Sequence, residues 1–261
     1  MSSAQPVAAL EACGLSKSFG GVTAIADVSF CVMPGTVTAL IGPNGAGKTT
    51  MFNLITNLEQ ASQGTVRLFG QPTARMSPER IAKLGLVRAF QTARVFPGMT
   101  TLENVAVGAH RLMEVSAYRQ MLWTRDARRE EHAIRAQAEA LLDLAGLLAH
   151  RDRPATELPM GGQKLLEVIR ALMASPRLLL LDEPAAGLND SETAELASML
   201  RAIRTSGITL LVIEHNMSLV RALADQVVVL DAGRTIAIGT PDEIRNNPQV
   251  IEAYIGREEE V

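Results

Sequence analysis

The chain has 261 residues, 47% of them hydrophobic and 20% charged, with a formal net charge of −3. This balance suits a chain that buries a sizeable core, and it excludes both a disordered polymer and a protein that binds nucleic acid through bulk positive charge. No apolar run approaches the roughly 18–20 residues a membrane-spanning helix needs, and MSSAQPVAAL lacks the basic flank and long apolar core of a secretion signal.

Residues 8 to 40 read as β-rich: ALEACGLSKSFG, TAIADVSFCV and TVTALI, separated by turns at Gly20-Gly21 and Pro34-Gly35. TVTALI runs into GPNGAGKTT, Gly42 to Thr50, which fits G-x-x-x-x-G-K-[ST] with Gly42, Gly47, Lys48 and Thr49 at the fixed positions. MFNLITNL follows, with Met51, Phe52, Leu54, Ile55 and Leu58 at helical spacing. Strand, glycine loop and helix in that order are the context a phosphate-binding loop requires.

The chemistry of that stretch comes from its backbone. Across Gly42, Pro43, Asn44, Gly45, Ala46 and Gly47, the glycines let several N–H groups face one concavity. The helix opening at Lys48, Thr49 and Thr50 adds its positive dipole end. Lys48 can reach the β- and γ-phosphates, and the Thr49 hydroxyl can ligate Mg²⁺. A chance glycine-rich turn would not bring lysine, hydroxyl and flanking elements with it. The chain is expected to bind a nucleoside triphosphate. Phe19, upstream in a chain with only 3% aromatic residues, can stack on an adenine ring or pack in a hairpin core; both readings stay open.

TVRLFG, Thr65 to Gly70, reads as a returning strand, and SPERIAKLG as a helix with a serine cap and a proline at its first position. LVRAFQ reads as a strand ending at Gln91. From Thr100 to Gln163 the character turns helical: TTLENVAVGAHRL has a threonine cap, and Ala127 to Leu148 places Ile134, Ala138, Leu141, Leu142 and Ala145 on one face. The charged RDARREEH before it is a solvated face. Trp123, Tyr118 and Met121 make either a partner-facing patch or local packing.

Next come a helix in GGQKLLEVIRALMAS, a buried strand in RLLLLD, and a helix from Ser191 to Thr205. A buried strand in ITLLVIEH, a helix from Met217 to Ala224 and a hairpin around Gly233 follow, then a helical tail. Alternating strands and helices predict an α/β fold with a mostly parallel core sheet, plus an antiparallel β lobe and a helical lobe. LLLLDEP ends a buried strand on two carboxylates: Asp182 is positioned for Mg²⁺, and Glu183 to polarise an attacking water. Cys13 and Cys31 read as free thiols, and His110, His132, His150 and His215 show no metal-ligand spacing.

The ordered set GPNGAGKTT, Gln91, a glycine signature before a helix, LLLLDEP, AAGLND and His215 resembles the ATP-binding-cassette (ABC) ATPases over nearly the whole chain. The resemblance implies one P-loop NTPase domain: a RecA-like core with β lobe over about 8–93 and 164–240, a helical lobe over about 94–163, and a tail at 241–261. It implies that two subunits sandwich two ATP, each between one phosphate loop and the other subunit's signature at Met160, Gly161, Gly162 and Gln163. Gln91 would sense Mg²⁺ and the attacking water, and His215 would touch the γ-phosphate. AFQTARVFPGMTTLENV, LDEPAAGLN, IEHNMSLV and GTPDEIRNNPQVIEAYIG look like the ATPase subunits of branched-chain amino-acid importers. That likeness implies two membrane-spanning permeases, a periplasmic or extracellular binding protein, and a second, similar ATPase or a second copy of the chain. It implies a place at the cytoplasmic face of the cell membrane and no nucleic-acid partner. Arg94 to Val105 is the candidate docking surface.

Two departures stand out. Where the family has LSGGQ, this chain reads Pro159, Met160, Gly161, Gly162, Gln163, and a thioether cannot donate the hydrogen bond a serine would. Asn189 stands where the dimer-facing loop commonly has aspartate, which keeps an acceptor and loses the charge. Other cargoes (urea or amide import, lipopolysaccharide export) are the alternatives among transporters. A soluble cassette protein of translation or DNA repair would carry two cassettes or long insertions. A non-hydrolytic regulatory NTP-binding module would not need the Asp182–Glu183 pair.

Overall fold

The computed structural model describes residues 7–89, 95–111 and 125–255. Gln91, Arg94, Tyr118, Met121 and Trp123 lie outside the described residues.

The described strands form two sheets. Leu10–Phe19 (β1) and Val22–Val32 (β2) make an antiparallel hairpin, joined on the far side of β1 by Gln63–Leu68 (β4) and then Gln71–Pro72 (β5). The second sheet orders Arg234–Gly239 (β10), Gln226–Asp231 (β9), Val37–Ile41 (β3), Thr209–Ile213 (β8), Leu178–Asp182 (β7) and Leu86–Ala89 (β6). Pairings β9–β3, β3–β8 and β8–β7 are parallel, while β10 closes the edge antiparallel to β9.

Both faces of this second sheet are covered, which explains its unbroken apolar strands. Leu40, Val228 and Leu230 point into a core shared with the β1–β2 hairpin and with Met51, Phe52, Leu54 and Ile55 of Lys48–Ile55 (α1). Their neighbours Ala39, Ile41, Val227 and Val229 point the other way, onto Val220, Ile244 and Val250. The period-2 alternation of a strand therefore serves two cores at once.

Leu58 departs from the expected helical face: it is exposed and beyond the end of α1. The helix stops at Ile55, and Asn57 turns the chain in the left-handed region with its amide donating to Thr73 O (2.7 Å) and Met76 O (3.0 Å). The long helix also differs in its bounds, running Arg125–Leu144 (α4 below) and including the charged segment expected before it. Gly146 ends it with φ 67, its N–H and that of Leu147 returning to Asp143 O and Leu142 O.

The other described helices are Pro78–Lys83 (α2), Thr101–Ala106 (α3), Met160–Leu172 (α5), Asp190–Thr205 (α6), Met217–Leu223 (α7), Pro241–Arg245 (α8) and Pro248–Ile255 (α9). The chain divides into two compact units: Met1–Arg88 with Arg177–Ala185 and Leu200–Val261, and Ala89–Pro176 with Ala186–Met199. The boundaries fall differently from the expected 94–163 helical lobe. Helix α5 packs on α3 and α4, so it belongs with the helical unit. The tail helices α8 and α9 belong with the sheets, because Ile244 and Val250 fill the core behind β3.

Candidate functional site

Gly42 and Gly47 have to be glycine. Gly42 has φ 149, and a Cβ there would lie 2.1 Å from Leu230 O. At Gly47, φ 100, it would lie 2.6 Å from Ile25 Cδ1 and 2.7 Å from Ala24 O. The loop is thus pressed against its scaffold, and it is pinned there by Gly233 N–H donating to Ala46 O (3.1 Å). Pro43, Asn44 and Gly45 form the outer bend, with Asn44 and Gly45 exposed.

Lys48 opens α1 and folds back over the loop, its Nζ donating to Gly42 O (2.7 Å) and Pro43 O (2.9 Å). Burial pushes its pKa down from the ordinary value, and the nearby carboxylates of Glu183 and Asp182 pull it back up. So Lys48, Asp182 and Glu183, far apart in sequence, share one electrostatic site. Thr49 follows on the exposed side of the first turn, with Thr50 half-buried beside it.

Asp182 is the last residue of β7 and is buried. Its Oδ2 accepts from Arg88 Nη2 at 2.7 Å, and Arg88 Nη1 donates to Asn53 Oδ1 of α1 at 2.8 Å. Arg88 on β6 therefore ties the strand-tip carboxylate to the helix behind the phosphate loop. Glu183, one residue on, is half-buried with φ 49, a left-handed conformation that costs a non-glycine residue about 1–3 kcal/mol. Its N–H still donates to Ile213 O (2.9 Å), so the chain leaves the sheet sharply at the acid pair. For Mg²⁺, hydroxyl and carboxylate oxygens are the right hard donors, and Thr49 and Asp182 fit that donor set.

His215 lies exposed just past β8. Before it, Glu214 is 1% exposed, and its carboxylate accepts from the N–H groups of Ala185 (2.8 Å), His215 (3.1 Å) and Asn216 (3.1 Å). Glu214 and Arg88 were not singled out by sequence. The readable signal was weak in each case: one charge in or beside an otherwise apolar strand.

Phe19 ends β1 beside the Gly20-Gly21 turn and is 45% exposed, with Lys17 Nζ 4.7 Å from its ring centre. The hairpin-core reading fails, because the ring is not buried.

In the helical unit, Met160, Gly161, Gly162 and Gln163 form the first turn of α5. Pro159 at the N-cap supplies no side-chain acceptor, so that turn's N–H groups receive no side-chain cap. Met160 is 60% exposed, and Gln163 Nε2 donates to Leu158 O (2.9 Å). Asn189 caps α6: its Oδ1 accepts from Glu192 N–H (3.0 Å), while its own N–H donates to Glu192 Oε2 (3.0 Å). The other Glu192 oxygen lies against Gly161, where a Cβ would come within 2.6 Å of it. The capping role explains an asparagine here independently of any charge.

The family profile described as ABC transporter matches residues 25–186, and one described as branched-chain amino acid ATP-binding cassette transporter matches residues 234–260. The chain is 41% identical over 244 residues to the high-affinity branched-chain amino acid transport ATP-binding protein LivG of Escherichia coli K12, covering 93% of this chain and 96% of that one. It is 41% identical over 248 residues to BraF of Pseudomonas aeruginosa, which carries the same description, covering 95% and 97%. Among solved structures, the ADP conformation of an ATP-binding cassette of an ABC transporter superposes with a TM-score of 0.83 at 33% identity, covering 95% of this chain and 99% of that one. A nucleotide-free ATP-binding cassette does so with 0.82 at 33%, covering 95% and 98%.

Proposed function

This chain belongs to the ABC transporter family, and from that premise we propose that it is the ATP-hydrolysing subunit of an importer for branched-chain, hydrophobic amino acids. One observation carries the reading. The lysine of the phosphate loop after β3 and the Asp182–Glu183 pair at the tip of β7, two strands across the sheet, share one electrostatic site, in a chain similar to branched-chain amino acid transport ATP-binding proteins over 93% of its length. The residues between Gly42 and Thr50 cradle the triphosphate, and Lys48 neutralises charge on its β- and γ-phosphates. Thr49 and Asp182 would hold Mg²⁺, with Gln91 sensing it and the attacking water; the ion would supply positive charge against the charge developing on the transferred phosphoryl oxygens. Glu183 orients and polarises the attacking water, and His215 contacts the γ-phosphate. Phe19 offers its exposed ring to the adenine.

The uncapped first turn of α5 offers the N–H groups of Gly161 and Gly162 to the ATP of a second ATPase, a similar subunit or another copy of this chain. Binding closes the pair; hydrolysis reopens it. Permeases in the membrane are the partners that this motion drives, two of them in our reading, with a binding protein outside delivering the amino acid. No helix among the described residues is long and apolar enough to cross a membrane, which agrees with a peripheral subunit held at the cytoplasmic face by its permeases. For the permease contact, the stretch Arg94 to Val105 offers Phe96 and Met99, both exposed and apolar. Glu183→Gln should keep magnesium-dependent ATP binding and lose turnover, read by fluorescent-nucleotide titration and phosphate release. Purification from membranes should bring permeases with it; full hydrolysis by Glu183→Gln removes the glutamate from its role.

A further inference from the structure

Glu214 is almost fully buried beyond the end of β8, yet no cation pairs with it among the described residues. A buried carboxylate needs compensation, and here three backbone N–H groups give it. They do not belong to one segment. Oε1 takes the N–H of Ala185, two residues after Glu183; Oε2 takes those of His215 and Asn216. One carboxylate therefore closes both strand-end turns of the site. Its own backbone is fixed in turn, Glu214 N–H donating to Leu40 O (3.4 Å) of the strand that leads into the phosphate loop.

The geometry explains why a clamp is needed at this place. β7 ends at Asp182, and Glu183 at φ 49 turns the chain out of the sheet. His215 lies exposed past the end of β8, and among the described residues no side-chain hydrogen bond or ion pair holds its imidazole. A hydroxyl or an amide has a single oxygen to offer, whereas a carboxylate has two, pointing apart. Only the carboxylate serves both turns.

We infer that Glu214 is a positioning residue that sets the backbone of the Glu183 turn and of His215 relative to each other, so that water and γ-phosphate contacts form together. This rests on the roles given above to Glu183 and His215. It adds to them a residue that touches neither substrate nor metal, and whose loss shows in turnover before it shows in binding.

The test uses the transporter complex with its permeases in membranes, carrying Glu214→Gln, Glu214→Ala, His215→Ala, or Glu214→Gln with His215→Ala. The expected result is a kcat lowered on the order of 10- to 100-fold by Glu214→Gln, and further by Glu214→Ala, with KM and the fluorescent-ATP Kd within about threefold of the parent. The double variant should be little worse than its more damaging single, because residues that act as a unit are not additive. Proportional losses in binding and turnover, multiplying effects in the double variant, or an unchanged kcat each overturn the inference. Should Glu214→Ala fail to assemble, Glu214→Gln, which keeps shape and one acceptor, still decides it. Glu183→Gln runs beside them: full turnover there takes down the site reading itself, whereas its loss beside an intact Glu214→Gln sinks this inference alone.

Discussion

Arg88 shows what a single side chain contributes when it faces other protein groups instead of the ligand. Its guanidinium holds Asp182 at 2.7 Å and Asn53 at 2.8 Å, and the pair is nearly dry, with side-chain exposures of 10% and 4%. Breaking a buried ion pair by removing one partner leaves the other charge uncompensated, at about 3–5 kcal/mol. Arg88→Met should therefore lower stability by that order in urea unfolding, and magnesium with ATP should restore part of it by bringing cationic charge to the same carboxylate. A loss below about 0.5 kcal/mol would show that Lys48 or water already compensates Asp182. Arg88 and Glu214 also mark the edge of what the sequence made readable at this scale. Lys48, Thr49, Asp182 and Glu183 are legible because their spacing repeats a ligand's geometry. A residue that braces other protein groups has no spacing of its own, and only the fold reveals which groups converge on it: side-chain oxygens of Asp182 and Asn53 on Arg88, backbone N–H groups on Glu214.

Helix ends were the elements most open to reading, because a cap is a local transaction between neighbours. Ser77 and Thr100 cap the helices that follow, as the sequence suggests; Thr240, not singled out from the sequence, does the same, and Thr100 and Thr240 form reciprocal boxes with Glu103 and Glu243. What stayed hidden were the ends fixed by distant partners: Asn57 reaching Thr73 and Met76 stops α1 before Leu58 can join its face. The two boxes also make a pH prediction. The Thr100 N–H, then its hydroxyl, holds the Glu103 carboxyl below its ordinary value of 4.5, and Thr240 does the same for Glu243. A carboxylate depressed in the folded state stabilises fully above its unfolded pKa, and that stabilisation is lost as pH falls through the folded value. The stability gap between the parent and a Glu103→Gln, Glu243→Gln variant should hold steady at about pH 6–8 and close in acid below 4.5. A gap that widens in acid would contradict the boxes. Thr100→Ala, which removes the cap itself, should cost about 1 kcal/mol at neutral pH.

For the whole molecule, the sequence carried the α/β core far better than the division into units. Strands with every residue buried announce a sheet covered on both faces, but a boundary depends on which faces helices share. Helix α5 packs on α3 and α4, and Glu192 lies against Gly161, so the signature turn and the start of α6 form one body. That body presents Met160, 60% exposed, where the family's serine would donate a hydrogen bond. A missing bond of this kind is worth about 0.5–1.5 kcal/mol, or about threefold to tenfold in occupancy. In a pair with a second, serine-bearing ATPase, the ATP bound by the partner's lysine and completed by Met160 is then the weaker of two. In that proposed pair the ATP bound by Lys48 would be the stronger, and transport would lean on it. Lys48→Ala in this chain should reduce amino-acid uptake by reconstituted vesicles more than the matching substitution in the partner. Met160→Ser should narrow the difference by about threefold to tenfold, since it returns the donor to the weaker site. Equal losses from the two lysine substitutions would mean that the backbone N–H groups of Gly161 and Gly162 hold the phosphate as well without the hydroxyl, and that the two sites work alike.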